Sequence, residues 1–419
     1  MARSVNIMKV TFCAFDHSNK VGGPLAWLIR LLPALQDRGV STKVLFLTTN
    51  PLNTPTADAL RDKGVEVVVN RWHQDTRKIT LWILEQLKED PPDVFVPNLM
   101  VPAYYAAAWV RDAGIPTVGI LHSDDDFYRG LQDEFVFGEE FFHLSGLVCV
   151  SEHLTHEVLQ KKPLDVEVRK IPYGAPLPAE KNNSPQKVLK LAYVGRLVEE
   201  QKRISDVIRA LCRVVKEVPE VEATIFGDGP ARPSVENILA NEGRGLLITL
   251  AGIVPSEEVQ KHLLEHHVLV LLSDYEGLPI ALMEAMACGL VPVCSDMRSG
   301  IPELVKNESN GLIVNDREDS FVGAIRRLKN DSPLWEKLSA AAREKIEQGY
   351  SSEVGVEGWV KFLSYFHSRT TEKTEIQVPL KLNLPPVHPG LAREDFRKKS
   401  LPVLLQARIA RFCKKHFVL

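Results

Sequence analysis

Two glutamates, Glu276 and Glu284, stand eight positions apart in SDYEGLPIALMEAMACG, residues 273–289, a run that is otherwise almost wholly apolar. An acid in such surroundings needs a hydrogen-bonding partner, because burying an unpaired carboxylate is costly. Pro279 suits a first helical position and Gly289 a helix stop, so the run reads as a loop carrying Glu276 and then a helix carrying Glu284. Even along a continuous helix, eight residues leave a rotation of about 80° beyond two turns, so the two acids are expected to do different work. Glu284, flanked on every side by apolar residues from Ile280 to Cys288, is expected to be buried. Ligand hydroxyls would serve as its partner, as they do for the acid of dinucleotide folds; a salt bridge within its own domain would serve as well.

Cations stand in YVGRLVEEQKRISDVI, residues 193–208, where Arg196 closes a strand-like run and Lys202 comes just before a helix-like one. Two cations beside a helix N-terminus oppose its dipole unless an anion lies between them, which suits a diphosphate held by an Arg fork and a Lys point charge. With Glu199 and Glu200 close by, a solvated charged loop fits the same residues. Gly22 and Gly23 in KVGGPLAW follow the first strand-like run and precede Pro24, either as a tight turn or as a close backbone approach to an anion at a helix start. The turn at Gly227 and Gly229 in IFGDGP lacks the G-x-G-x-x-G spacing, so it supports no dinucleotide fingerprint and leaves open the close approach of one nucleotide.

These turns need strands and helices behind them. From Met8 the runs MKVTFCAF, TKVLFLT, VEVVV, DVFVP, PTVGIL and LVCVS alternate with helix-length amphipathic segments, which predicts βαβ units and a parallel sheet. The runs are apolar throughout, as strands covered on both faces must be. The rhythm breaks in PLPAEKNNSPQK, then restarts with VLKLAYVG, VEATIFGDGP, LLITLAG, HVLVLLSD and LVPVCSD. We therefore expect a first α/β domain over residues 1–178, a linker over 179–187, a second α/β domain over 188–368, and a Pro-rich segment with a basic amphipathic helix over 369–419. Ligands of such sheets bind beyond the carboxyl ends of the strands, in the cleft between the two domains.

The 419 residues are 45% hydrophobic and 25% charged, proportions of a globular chain with two sizeable cores. A net charge of -3 offers no global basic field for nucleic acid. Six cysteines without a C-x-x-C pair indicate a reducing compartment and no structural zinc. With no leader-like segment and no membrane-length apolar run, the expected location is cytoplasmic. The final SLPVLLQARIARFCKKHFVL places Arg408, Arg411 and Lys415 on one stripe and Leu401, Leu405, Ile409 and Phe412 on another. Such a helix either packs back on the first domain or lies peripherally on anionic lipid.

The ordered set of strand-GRL with a lysine six residues after the arginine, FGDGP, AGIVPSEEV, Glu-(seven residues)-Glu, SGIPELV and NGLIV resembles the retaining glycosyltransferases of family 4. That family has the GT-B fold, two Rossmann-like parallel-sheet domains facing across a cleft. The resemblance covers about residues 9–366 and is strongest over 191–314. It implies transfer of a sugar from a nucleotide-diphosphate sugar to a carbohydrate or glycolipid acceptor, with no further cofactor and no metal. Arg196 and Lys202 would hold the diphosphate, and Glu284 the ribose. Glu276 with the backbone of Gly277, Leu278, Pro279 and Ile280 would face the donor sugar and phosphate. Gly22 and Gly23 would approach from the opposite domain, and Gly227 and Ile253 would border the donor. His122, in GILHSDDDFYRG, matches the family's active-site histidine, although a histidine after a strand also reads as structural.

In the family the leaving phosphate takes the acceptor proton on the same face, which retains configuration. Asp124-x-Asp126 imitates the metal motif of the other glycosyltransferase fold, whose architecture this chain does not resemble. Two departures from the pattern are Arg203 after Lys202 and Met297-Arg298-Ser299 where a glycine-rich loop is common; Arg298 reads as a solvated loop residue or a contact to an acidic sugar or acceptor. The rival readings are a nucleotide-sugar epimerase of the same fold, a glycosidase using two carboxylates, and a non-catalytic nucleotide-sugar-binding protein.

Overall fold

The computed structural model describes residues 7–16, 22–50, 54–73, 75–297, 300–369 and 372–395. In the first domain β1 (Lys9–Asp16), β2 (Ser41–Thr48), β3 (Glu66–Arg71) and β4 (Val94–Val96) form a parallel sheet in the order β3-β2-β1-β4. A parallel bridge from Phe95 to Thr117 extends it to β5 (Val118–Leu121), β6 (Gly146–Cys149) and β7 (Glu167–Lys170). The second domain is one parallel sheet of β8 (Leu189–Val194), β9 (Val221–Phe226), β10 (Ile248–Gly252), β11 (Val268–Leu271), β12 (Val291–Ser295) and β13 (Leu312–Val314). Its strand order is β10-β9-β8-β11-β12-β13. Central strands such as β4, β5, β6 and β11 are buried along their whole length, which is why they read as unbroken apolar runs.

Each sheet reverses its winding once, between β1 and β4 in the first and between β8 and β11 in the second. Loops leaving neighbouring strands at such a point diverge and open a crevice. The second crevice receives Arg196 and Lys202 after β8 and Glu276 after β11; the first receives Gly22 and Gly23 after β1 and Asn98 after β4.

The buried helix Ile280–Cys288 ends where Gly289 adopts φ 87°, as expected of a glycine stop. Pro279 corrects the reading as a first helical residue: with φ -71° and ψ 115° it is the N-cap. The polar segment read as a linker is pinned rather than loose. Arg343 donates to the carbonyls of Pro178 and Glu180 and to Ala287 at the end of the buried helix, at 2.8, 3.1 and 2.9 Å. Asn182 donates its backbone N–H to Cys288 and its amide to His266, at 3.0 and 2.6 Å.

The helix Ser352–His367, expected within the second domain at 188–368, packs instead on the first. Its Trp359 lies 5.9 Å from both Phe12 and Trp27, ring to ring. Phe366 lies over Gly146, where a Cβ would come within 2.6 Å of the ring. Residues 372–395 continue along the first domain: Thr374 donates to Ala113 at 3.0 Å, and buried Asp395 accepts from Thr76 at 2.9 Å. The basic terminal stripe and Arg298 lie outside the described residues. Among the described residues no helix is long and apolar enough to cross a membrane.

Candidate functional site

Lys202 and Glu276, from the loops after β8 and β11, form an ion pair of 2.5 Å with side chains only 12% and 6% exposed. Gln201 donates to the other Glu276 oxygen at 3.3 Å. The carboxylate is thereby held, and the ammonium is kept at the crevice largely buried. Arg196 is exposed beside them; no carboxylate among the described residues pairs with it. Tyr193 donates to its carbonyl at 3.0 Å and fixes the turn that presents it.

Two helix N-termini meet here. Gly23 begins the helix Gly23–Gln36 of the first domain, Ile280 begins the buried helix of the second, and a Cβ on Gly23 would lie 3.4 Å from the Ile280 Cδ1. Neither start is capped by a side chain. First-turn N–H groups without partners carry partial positive charge, so two such ends brought close together make a place for an anion. A Cβ on Gly22 would meet nothing within 4 Å, leaving open room on the same side. Leu278 and Pro279 are buried and brace the second start.

Glu284 is buried and does have a salt bridge, but not within its own domain. Arg30 of the first domain reaches it across the cleft, Nη1 to Oε1, at 2.5 Å. Burial pushes the Glu284 carboxyl above the usual carboxylate range, and the Arg30 charge and hydrogen bond offset part of that. Sequence reasoning missed Arg30. The available signal was that Arg30 is the lone charge in GPLAWLIRLLPALQ, just as Glu284 is in its own helix.

His122 is buried, with Nδ1 2.7 Å from the Tyr173 hydroxyl and Nε2 2.7 Å from the Asn98 Oδ1. Since an amide oxygen only accepts, Nε2 carries the proton and Nδ1 accepts from Tyr173. Burial lowers the ring's pKa to about 3, so it is neutral at ordinary pH. Both ring nitrogens are thus spent inside the first domain. What His122 turns to the second domain is its backbone: a Cβ on Gly277 would run into the His122 carbonyl oxygen. The loop after β5 and the donor loop after β11 therefore touch main chain to main chain. Asn98 and Tyr173, which hold the histidine, carried no recognisable signal.

Gly227, at φ 146°, has a packing reason to be glycine, since a Cβ there would strike the Gly195 carbonyl oxygen. Its N–H donates to Gly252 at 2.7 Å, so the turns after β8, β9 and β10 are stitched together behind Arg196. Ile253, just beyond β10, is 61% exposed on this rim. Asp124 is occupied by Arg129 at 2.9 Å and His153 at 3.3 Å, while Asp125 caps the helix Asp126–Phe135. Among the described residues no group of three or more His, Cys, Asp or Glu side chains could hold a metal.

Residues 178–345 match the family model described as Glycosyl transferases group 1. The chain is 33% identical over 174 residues to the amylovoran biosynthesis glycosyltransferase AmsK of Erwinia amylovora, covering 40% of this chain and 42% of that protein. Over 157 residues it is 31% identical to the N-acetyl-alpha-D-glucosaminyl L-malate synthase of Bacillus anthracis, covering 36% and 39%. The matched part thus spans about two fifths of these relatives. The fold resembles Anabaena HepE, solved with UDP and glucose, at a TM-score of 0.68 and 17% identity over 85% of this chain and 100% of that one. It also resembles the pneumococcal O-GlcNAc transferase GtfA, solved with UDP and GlcNAc, at 0.70 and 12% over 86% and 99%. The second domain therefore carries the group 1 glycosyltransferase signature, and the architecture is GT-B.

Proposed function

We propose that the chain is a retaining glycosyltransferase that moves a sugar from a nucleotide-diphosphate sugar to a hydroxyl of a carbohydrate or glycolipid acceptor, in cell-surface polysaccharide or glycolipid synthesis. One observation carries this reading: the helices Gly23–Gln36 and Ile280–Cys288, neither capped by a side chain, begin close together across the cleft, a Cβ on Gly23 lying 3.4 Å from the Ile280 Cδ1. Lys202 stands in the loop after β8, at the second domain's crevice. The partly positive surroundings need an anion, and a diphosphate has the charge for them. The matched relatives, one named for amylovoran biosynthesis, support the polysaccharide setting.

Breaking the sugar–diphosphate bond leaves negative charge on phosphate and positive charge on the ring. Lys202, Arg196 and the two helix starts stabilise the first, and the Glu276 carboxylate stabilises the second. When the donor enters, phosphate competes with Glu276 for Lys202, and the carboxylate is released toward the sugar. The leaving phosphate oxygen takes the acceptor proton, so the residues in the cleft supply charge rather than a general base. These fixed protein charges do the work a bound cation would otherwise do, and we assign no metal to the reaction. The enzyme works in the cytoplasm, and its acceptor, where lipid-linked, is reached at the membrane's inner face.

The test is to incubate the protein with UDP-, GDP- and ADP-sugars and follow release of free nucleotide with and without acceptor mixtures. A donor turned over only with acceptor, with the linkage keeping the donor's configuration by NMR, is the expected result. Inversion of configuration, or conversion of the donor with no acceptor at all, as an epimerase would give, overturns it.

A further inference from the structure

The Arg30–Glu284 contact has an unusual shape for its kind. Arginine and carboxylate commonly meet through two parallel hydrogen bonds, but here a single one joins Nη1 to Oε1. A second Arg30 nitrogen, Nη2, is buried without a partner among the described residues. The other Glu284 oxygen, Oε2, accepts no hydrogen bond among them and, unlike Nη2, keeps some solvent contact. A donor and an acceptor are thus left unspent on either side of the cleft, on residues 254 apart in sequence. The buried Arg30 donor left unpaired costs about 1–3 kcal/mol, while Glu284 Oε2 is open to a ligand that donates a hydrogen bond. A sugar hydroxyl is such a donor.

We propose that Arg30 is a positioning residue for nucleotide recognition: from the first domain it holds Glu284 of the second as an ionised acceptor for the ribose hydroxyls. The inference rests on the donor reading above but adds a residue and a domain to it. The nucleotide subsite is completed across the cleft, so recognition of ribose requires the domains to be together. The chemistry needs the charge. A protonated Glu284 would present an O–H where the ribose hydroxyl needs an acceptor, and burial already drives this carboxyl toward its neutral form.

Around Glu284 the titratable and charged groups among the described residues are few. Cys288 lies on the same helix, with its thiol raised to about 12 by burial and by Glu284. Arg343, on the helix Ser332–Gly349, is committed to backbone carbonyls and Glu347. Lys261 and His262 belong to the neighbouring helix Val259–Leu263, and His262 lies against the Phe226 ring. Only Arg30 pulls the Glu284 carboxyl toward its ionised form.

The test measures affinity for whichever of UDP, GDP and ADP binds the wild-type chain, and for its 2′,3′-dideoxy counterpart, from pH 6 to pH 8.5. The ratio of the two affinities cancels the ionisation of the phosphates and reads the ribose contact alone. Wild type should prefer the ribose form by about ten-fold or more at every pH. Arg30→Met should lose that preference at pH 6 and regain it as the pH rises and Glu284 ionises. Arg30→Lys, which keeps the charge, should retain the wild-type ratio throughout. A ratio in Arg30→Met that is unchanged, or reduced by one factor at every pH, overturns the inference. Loss of the ratio in Arg30→Lys overturns it too, and that variant carries the test if Arg30→Met does not fold. Failure of the underlying reading looks different: wild type would bind none of the three nucleotides, or Glu284→Gln would keep the full ribose preference.

Discussion

Lys202 and Glu276 meet at 2.5 Å, from two different loops, at the point where the second sheet reverses its winding. Each is nearly buried, so neither charge can stand there without the other or a ligand in its place. The two charges neutralise one another, and a diphosphate sugar would take both members apart.

Removing either member should have a distinct effect. Lys202→Ala takes away a preorganised positive charge at the leaving phosphate, and kcat should fall by about 100- to 1000-fold. Glu276→Gln leaves the ammonium unpaired, and should lower stability by about 3 kcal/mol as well as activity. Steady-state kinetics and urea unfolding on the same preparations separate the two effects. Near-wild-type kcat in Lys202→Ala would remove it from the phosphate.

The two glycines that face the opposite domain should behave differently. A Cβ on Gly23 makes an ordinary contact with Ile280, so Gly23→Ala should melt like wild type while weakening nucleotide affinity by closing the backbone to phosphate. Gly277→Ala runs into the His122 carbonyl and has to push the loops apart, so its melting temperature should drop. Differential scanning calorimetry with and without nucleotide distinguishes these patterns. Equal melting of both variants would contradict the main-chain contact between the loops.

His122 predicts a pH effect on stability rather than on the chemical step. Its folded-state pKa of about 3 lies below the unfolded value, so the unfolded chain takes up a proton first as the pH falls. The contribution is fully present above about pH 6.5 and is lost progressively from there toward pH 3, at up to roughly 1.4 kcal/mol per pH unit. His122→Gln should flatten that acid limb in urea titrations at pH 4 to pH 7. An acid limb of unchanged slope would mean the ring is not held neutral.

Arg343 should matter to stability and not to nucleotide binding. Arg343→Met strips donors from three carbonyls that tie residues 178 and 180 to the end of the buried helix. A loss of about 2 kcal/mol is expected, with nucleotide affinity within two-fold of wild type. A ten-fold change in affinity would instead link this segment to the cleft.

Much of the architecture could be read from residues because covered strands must be apolar on both faces. One strand that went unread is instructive: β7, with the sequence EVRK, lies at a sheet edge and places Glu167 and Arg169 on it, so no apolar run announced it. Helical periodicity shows which face of Ser352–His367 is buried but not against which domain, and only the fold reveals that it returns to the first. The same limit applied at the site. Each acid and cation of the second domain occupies a strand-to-helix turn or a buried helix, where its chemistry is visible locally. Arg30 acquires its meaning from a residue 254 positions away, and the ring of His122 is held by Asn98 and Tyr173, which lie 24 and 51 positions from it.

The most direct test of the central claim is calorimetric titration of UDP, GDP and ADP into the wild-type chain and into Glu284→Ala. A single nucleoside diphosphate should bind the wild type with one site per chain, and Glu284→Ala should weaken it by ten-fold or more while melting as a folded protein. If no nucleoside diphosphate binds, or if Glu284→Ala binds it as tightly as wild type does, the cleft is not the donor site described above.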